Sequence, residues 1–165
     1  MPTFQRTYHV ARSADQVFDV IGTHLFENHP RWEREVVEIR PLTPGPVRVG
    51  SRAVMVREEY GRRTEGTYEI AAFEPGRLVA ARHLDGPMDF ALSFRVAPLD
   101  GTTSDLTVTV DMALRGRLRR LSPLLGIQLP GRSDRISRSM VALAEAGPPA
   151  AVASWAMATQ AGARM

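Results

Sequence analysis

Residues 88–114 read MDFALSFRVAPLDGTTSDLTVTVDMAL and contain two stretches in which apolar and polar side chains alternate. A period of two predicts strands with one buried face and one solvated face, as in an antiparallel sheet covered on one side. The Asp100-Gly101-Thr102 turn between the stretches predicts a hairpin. The apolar positions are Met88, Phe90, Leu92, Phe94 and Val96 in the first strand, and Leu106, Val108, Val110, Met112 and Leu114 in the second.

Five further strand patterns precede this hairpin, and turns rich in glycine and proline separate most of them. Together with the hairpin they make seven strands that follow one another closely along the chain, which favours antiparallel pairing. The predicted strands before the hairpin are residues 3–10, 35–42, 51–60, 64–73 and 78–84.

Helical patterns lie between the first two strands and after the last one. Ser13 and Gln16 form a capping box for a short helix that ends at Gly22, and a second short helix is predicted around residues 24–28, before Pro30. After Gly116 the apolar residues return at helical spacing, and breaks or kinks are predicted at Pro123, Gly126 and Pro130. Ser133 can cap a second helical segment.

The composition is typical of one globular domain: 165 residues, 44% hydrophobic and 24% charged. We predict a domain at residues 1–146 and an Ala-rich tail at 147–165 that is flexible or weakly helical.

The chain has no cysteine, which excludes disulfides and thiolate chemistry. No signal-peptide pattern and no run of about 20 apolar residues is present, so we expect a cytoplasmic protein without stable membrane insertion.

The positive charge lies near the C-terminus. All 21 basic residues are arginine, and residues 112–146 hold seven of them against only Asp134 and Glu145. Two interpretations remain open: a solvated outer face of a long helix, or an interaction module docking on an acidic partner through Arg115, Arg117, Arg119 and Arg120. We expect no nucleic-acid partner.

The order of these elements resembles the START-like superfamily (SRPBCC), in its polyketide cyclase/dehydratase-like branch. The resemblance covers about residues 3–146 and rests on four pieces in order: VARSADQVF at 10–18, Trp32, VGSR at 49–52 and FEPGRL at 73–78. It implies an α+β helix-grip fold, in which a curved seven-stranded antiparallel sheet wraps around a long C-terminal helix and two short helices close one end.

The resemblance also implies a cavity for a hydrophobic molecule between the sheet and the long helix. We expect a protein that binds a small hydrophobic or aromatic ligand, lipid- or polyketide-like, as a monomer or a homodimer. The alternative is a polyketide cyclase or dehydratase acting in the same cavity. The branch has no universal catalytic motif, so the resemblance assigns no catalytic residue.

Strand parity predicts which side chains line the cavity. Taken one by one, these residues fit an ordinary packed core better, and it is the resemblance that favours a cavity. Polar candidates for catalysis are Arg57, Glu59, Tyr68 and Arg82, with His83 replacing Arg82 if the register shifts by one residue. The four histidines have no metal-ligand spacing, so we expect neither a metal nor a cofactor. The predicted ligand-binding residues are Met55, Tyr68, Ile70, Phe90, Leu92, Phe94, Val108, Val110, Met112, Leu125 and Met140.

Overall fold

The computed structural model describes residues 3–86 and 88–147 and contains one seven-stranded sheet. All neighbouring strands are antiparallel, in the order β1-β7-β6-β5-β4-β3-β2. The strands are β1 (Thr3–Val10), β2 (Val36–Pro41), β3 (Arg52–Glu59), β4 (Arg62–Glu74), β5 (Leu78–His83), β6 (Met88–Pro98) and β7 (Ser104–Leu114).

The helices pack on the inner face of this sheet. They are α1 (Ala14–Phe18), which continues as one π-helical turn (Asp19–Thr23), α2 (Leu25–Trp32) and the long α3 (Ser122–Ala146), preceded by a 3-10 segment (Gly116–Leu121). This is the predicted helix-grip fold, with two short helices at one end and one long C-terminal helix across the sheet. The predicted tail, apart from Gly147, lies outside the described residues.

The central hairpin has the predicted alternation. Leu92 pairs with Val110, and Phe94 pairs with Val108. Phe94, Val108 and Val110 are buried beneath the helices, because an antiparallel register places the apolar positions of both strands on the same face. The inner face of β6 and β7 therefore forms the floor beneath α3.

The capping box at the start of α1 is also present. The Gln16 backbone N–H donates to the Ser13 hydroxyl, and the Gln16 side chain accepts from the Ser13 backbone N–H, both at 3.3 Å. This local prediction is confirmed because the residues that make the cap are neighbours in sequence.

Two helix predictions differ from the structure. The second short helix runs through Pro30 to Trp32, where the predicted end lay before the proline. The lost backbone hydrogen bond is offset because His29 and Trp32 are both buried on the inner side of α2. The C-terminal region is one helix of 25 residues that contains Pro130, and Ser133 is buried within it and does not cap a second segment.

The C-terminal half of α3 is held against β1 and the start of α1. Asp134 accepts hydrogen bonds from Arg6 and from the Tyr8 hydroxyl, each at 2.7 Å. Near the other end of the helix, Arg12 donates to the backbone carbonyl of Glu145 at 2.9 Å. Within the described residues, no helix is both long enough and apolar enough to span a membrane.

Candidate functional site

A cavity of about 200 Å³ lies between the inner face of the sheet and α3. Its walls are mainly apolar, and they come from four strands, from the end of α2 and from one side of the long helix. The apolar lining residues are Trp32, Met55, Met88, Phe90, Leu92, Phe94, Val108, Val110, Met112, Leu129, Ile136 and Met140.

Most of the predicted lining residues lie on this cavity. Tyr68 lies on a small inner recess of about 20 Å³, which shares several walls with the main cavity. Ile70 does not reach either space and is fully buried in the core, while the side chain of Leu125 lies outside the described residues. The predicted residues on the main cavity are Met55, Phe90, Leu92, Phe94, Val108, Val110, Met112 and Met140.

One end of the cavity carries a network of charged side chains. Glu33, the residue after α2, accepts a hydrogen bond from Arg57 Nη2 at 2.5 Å, and its other oxygen lies 2.8 Å from His29 Nε2. Arg57 also contacts Glu59 at 3.1 Å, and Glu59 in turn pairs with Arg132 of α3. The network therefore joins α2, β3 and α3 at one end of the cavity.

Glu33 is the buried centre of this network, with a side chain only 9% exposed. Burial by itself would raise the pKa of Glu33. The hydrogen bond and the electrostatic effect of His29, together with those of Arg57, outweigh burial and lower that pKa to about 2. Glu33 is therefore ionised at neutral pH, and it holds His29 and Arg57 in place.

Glu59 is a weaker candidate for a base than its sequence position suggested. The hydrogen bond from Arg132 lowers the pKa of Glu59 against the opposing effect of burial, and Arg57 lowers it further. A carboxylate held between two guanidinium groups is a poor proton acceptor.

Two buried polar groups on the apolar walls have no hydrogen-bond partner among the described residues. They are the Tyr68 hydroxyl and the Trp32 indole N–H. The Tyr68 ring packs against Phe26 with ring centroids 5.8 Å apart, and burial raises the pKa of its hydroxyl, with a smaller contribution from Glu27. Both groups are therefore neutral donors at physiological pH.

The side chains of β5 that point towards the cavity are not the ones that the sequence predicted. Arg82 lies on the outer face, where its side chain is 59% exposed and donates to Glu69 at 2.9 Å. The expectation that Arg82 points into the cavity is wrong, because Val79, Ala81 and His83 form the inner face. His83 lies on the cavity instead, with its ring stacked on Tyr68 at 6.4 Å between centroids.

His83 is neutral under ordinary conditions. Burial lowers the pKa of His83, and the positive charge of Arg57 lowers it further. A neutral imidazole beside a phenol donor can accept a proton or a hydrogen bond from a molecule in the cavity. Among the described residues, no three histidine, aspartate or glutamate side chains group together as a metal site would require.

Sequence comparison assigns the family. The profile of the family described as "Polyketide cyclase / dehydrase and lipid transport" matches residues 1–145. This chain belongs to that family. No curated protein matches the chain by sequence.

Solved structures related to this family member have the same fold. The Zhui aromatase/cyclase from Streptomyces sp. R1128 is 18% identical, with a TM-score of 0.71 over 87% of this chain and 93% of the other. A START superfamily protein from Mycobacterium smegmatis is 18% identical, with a TM-score of 0.65 over 85% and 94%. Norcoclaurine synthase from Thalictrum flavum is 13% identical, with a TM-score of 0.62 over 84% and 83%. At these identities the likeness shows the helix-grip fold alone.

Several cavity residues of this family member were missed by the sequence analysis. His29 of α2 and Glu33, which follows the helix, lie four residues apart, and that spacing is typical of side chains that meet on one helix face. On α3 the cavity face recurs at Leu129, Ser133 and Ser137, but the prediction that Ser133 caps a second helix hid this spacing. No sequence pattern around Arg132 indicated a place on the cavity, because its role depends on an ion pair with Glu59 of a distant strand.

Proposed function

We propose that this protein binds one small aromatic or otherwise apolar molecule, lipid- or polyketide-like, in the cavity between the sheet and α3. The observation that carries the proposal is a pair of buried donors without a hydrogen-bond partner among the described residues: Trp32 on the main cavity and Tyr68 on the adjoining recess. A buried donor without a partner costs about 1–3 kcal/mol, and a ligand with a carbonyl or ether oxygen would recover that cost. Membership of a family described by polyketide and lipid chemistry supports the same class of ligand.

The charged network favours a ligand that is itself uncharged. Arg57 and Arg132 are already paired with Glu33 and Glu59, so their charges largely balance at this end of the cavity. An anion or a cation would have to displace an existing partner, whereas a neutral ketone or phenol would not. We therefore favour a neutral aromatic compound with oxygen acceptors.

The experiment that tests this proposal uses prodan, a neutral naphthalene with one ketone oxygen and a solvent-sensitive emission. We expect saturable binding of one prodan per chain with a blue shift of its emission, and native mass spectrometry should show the same one-to-one complex. The absence of saturable binding, together with no small molecule co-purifying with the protein, would contradict the proposal.

The substitution Tyr68→Phe separates a binding role of the hydroxyl from a packing role. Loss of one neutral hydrogen bond should weaken prodan affinity by about fivefold to tenfold. The free energy of unfolding should stay the same or rise, because the removed hydroxyl has no partner in the protein. Unchanged affinity would remove the Tyr68 hydroxyl from ligand binding.

The second candidate function is a cyclase or dehydratase acting in the same cavity, as in the alternative drawn from the sequence. The observation that favours it is the neutral His83 ring stacked on Tyr68. His83 would remove a proton from carbon next to a ketone, and the Tyr68 hydroxyl would stabilise the resulting enolate oxygen. The enolate carbon would attack a second carbonyl, forming a carbon–carbon bond, and the protonated His83 would return its proton to the new alkoxide. Loss of the remaining proton from the attacking carbon and of the new hydroxyl would then release one water and leave a carbon–carbon double bond.

A poly-β-keto thioester tests this second function. An active enzyme would convert it to a cyclic product lighter by one water, and His83→Gln would abolish that conversion. Of the residues named from the sequence, Arg57 would orient a substrate carbonyl, while Glu59 and Arg82 would take no part. If the thioester bound without being converted, the cyclase or dehydratase function would be rejected and ligand binding alone would be supported.

A further inference from the structure

The chain between Asp111 and Asp134 has five arginines and no acidic residue. This stretch covers the end of β7, the 3-10 segment and the start of α3. Its charge is not spread evenly over the fold, because it lies where the chain leaves the sheet and begins the helix above the cavity. We call the exposed part of this stretch the basic face, defined as Arg117, Arg119, Arg120, Leu121, Leu124 and Ile127.

The basic face exposes large aliphatic side chains. Leu121 is 48% exposed, Leu124 is 60% exposed and Ile127 is 79% exposed. The three lie at successive spacings of three residues, so neighbouring members share one side of the helical segment. An exposed apolar cluster of this kind indicates a surface that contacts another protein or a membrane.

The arginines of the basic face are available for binding. Arg115 pairs with Asp89, and Arg132 pairs with Glu59, so both are already neutralised. In contrast, within the described part of the chain no carboxylate forms an ion pair with Arg117, Arg119 or Arg120, and all three are exposed. Three unpaired cations beside three exposed aliphatic side chains form an amphipathic surface.

We propose that the basic face docks this protein on an anionic lipid bilayer. Arginine contacts phosphate head groups, and leucine and isoleucine insert among the adjoining acyl chains, which is how interfacial helices bind membranes. Single-stranded nucleic acid fits the surface less well, because such binding uses aromatic side chains for stacking and the basic face has none. The aliphatic exposure therefore favours a bilayer over the other acidic partners.

Docking through this face would bring the cavity close to the bilayer. Ile127 lies two residues before Leu129, whose side chain lines the cavity, so the two residues are neighbours along α3 but their side chains lie on opposite sides of the helix. An apolar ligand would then pass around α3 between the cavity and the membrane, a path of one helix diameter, roughly 10 Å. This last step rests on the proposed ligand binding, whereas docking itself does not.

The test is flotation with vesicles of phosphatidylcholine alone or with phosphatidylglycerol added. We expect binding only to the vesicles that contain phosphatidylglycerol, and a steep loss of binding as salt is raised. Replacing Arg117, Arg119 and Arg120 together by glutamine should weaken vesicle binding by about 100-fold. Replacing Leu124 and Ile127 by serine should weaken it by about tenfold while leaving the salt dependence in place.

A matched control removes the same three charges elsewhere. Arg40 of β2, Arg77 of the turn before β5 and Arg95 of β6 are exposed, and their replacement by glutamine should leave vesicle binding within about threefold. Equal loss in the two triple variants would overturn the proposal, because net charge alone would then explain binding. Binding to duplex DNA without binding to anionic vesicles would also overturn it.

Membrane docking and ligand binding can be tested independently of each other. The triple arginine variant does not change the cavity walls, so its prodan affinity should equal that of the parent protein. Failure of vesicle binding with intact prodan binding would reject the docking proposal alone. Failure of prodan binding with intact vesicle binding would reject the ligand proposal alone.

Discussion

Replacing Glu33 by glutamine is expected to lower the free energy of unfolding by about 3 kcal/mol. The carboxylate is buried and holds both His29 and Arg57, so the neutral amide leaves a partly buried guanidinium without its main partner. Breaking a buried ion pair on one side costs about 3–5 kcal/mol, and the partial exposure of Arg57 places the expectation at the lower end. Urea unfolding monitored by circular dichroism measures the change.

The pH dependence of the free energy of unfolding provides a second measurement of how much Glu33 stabilises the fold. The folded pKa of Glu33 is about 2, against an ordinary value of 4.5. The unfolded chain therefore binds the proton more readily, so the stabilisation from Glu33 is complete above about pH 4.5 and is lost as the pH falls towards 2. The Glu33→Gln variant should lose less stability than the parent protein across this interval.

The substitution Glu65→Gln is the matched control. Glu65 forms an ion pair with Arg40 on the surface, and both side chains are exposed. Surface pairs contribute at most about 1 kcal/mol, so this variant should remain close to the parent protein in stability. A similar loss in both variants would show that burial of Glu33 has no special role.

Replacing Met112 by tryptophan is expected to abolish ligand binding. Met112 is half-buried on β7 and lines the cavity, so the larger indole would occupy space that the ligand needs. In a cavity of about 200 Å³ we expect prodan affinity to fall by more than about 100-fold. Overpacking costs about 1–3 kcal/mol, so a thermal melt should still show a folded protein.

Tryptophan at an exposed position tests whether the effect is local. Leu42 lies just beyond β2, is 57% exposed and does not line the cavity. The Leu42→Trp variant should therefore bind prodan like the parent protein. Normal affinity in the Met112 variant would mean that prodan binds outside this cavity.

The sequence by itself determined the features that depend on neighbouring residues. The alternation in β6 and β7 predicted that Phe94 and Val108 face the core, because each strand alternates with a period of two regardless of what covers it. The Ser13 capping box formed as predicted, since its two partners lie three residues apart. The order of the elements then predicted the helix-grip fold.

Only the tertiary structure decided which face of β5 is inside and how the charged end of the cavity is built. Alternation groups Arg82 with Leu78 and Ala80, but it does not tell which of the two faces meets the helices. Glu33, Arg57 and Arg132 come from three elements far apart in sequence, and no local pattern brings them together. Their contact depends on long-range packing, because one buried carboxylate is stable only where the fold supplies its cationic partners.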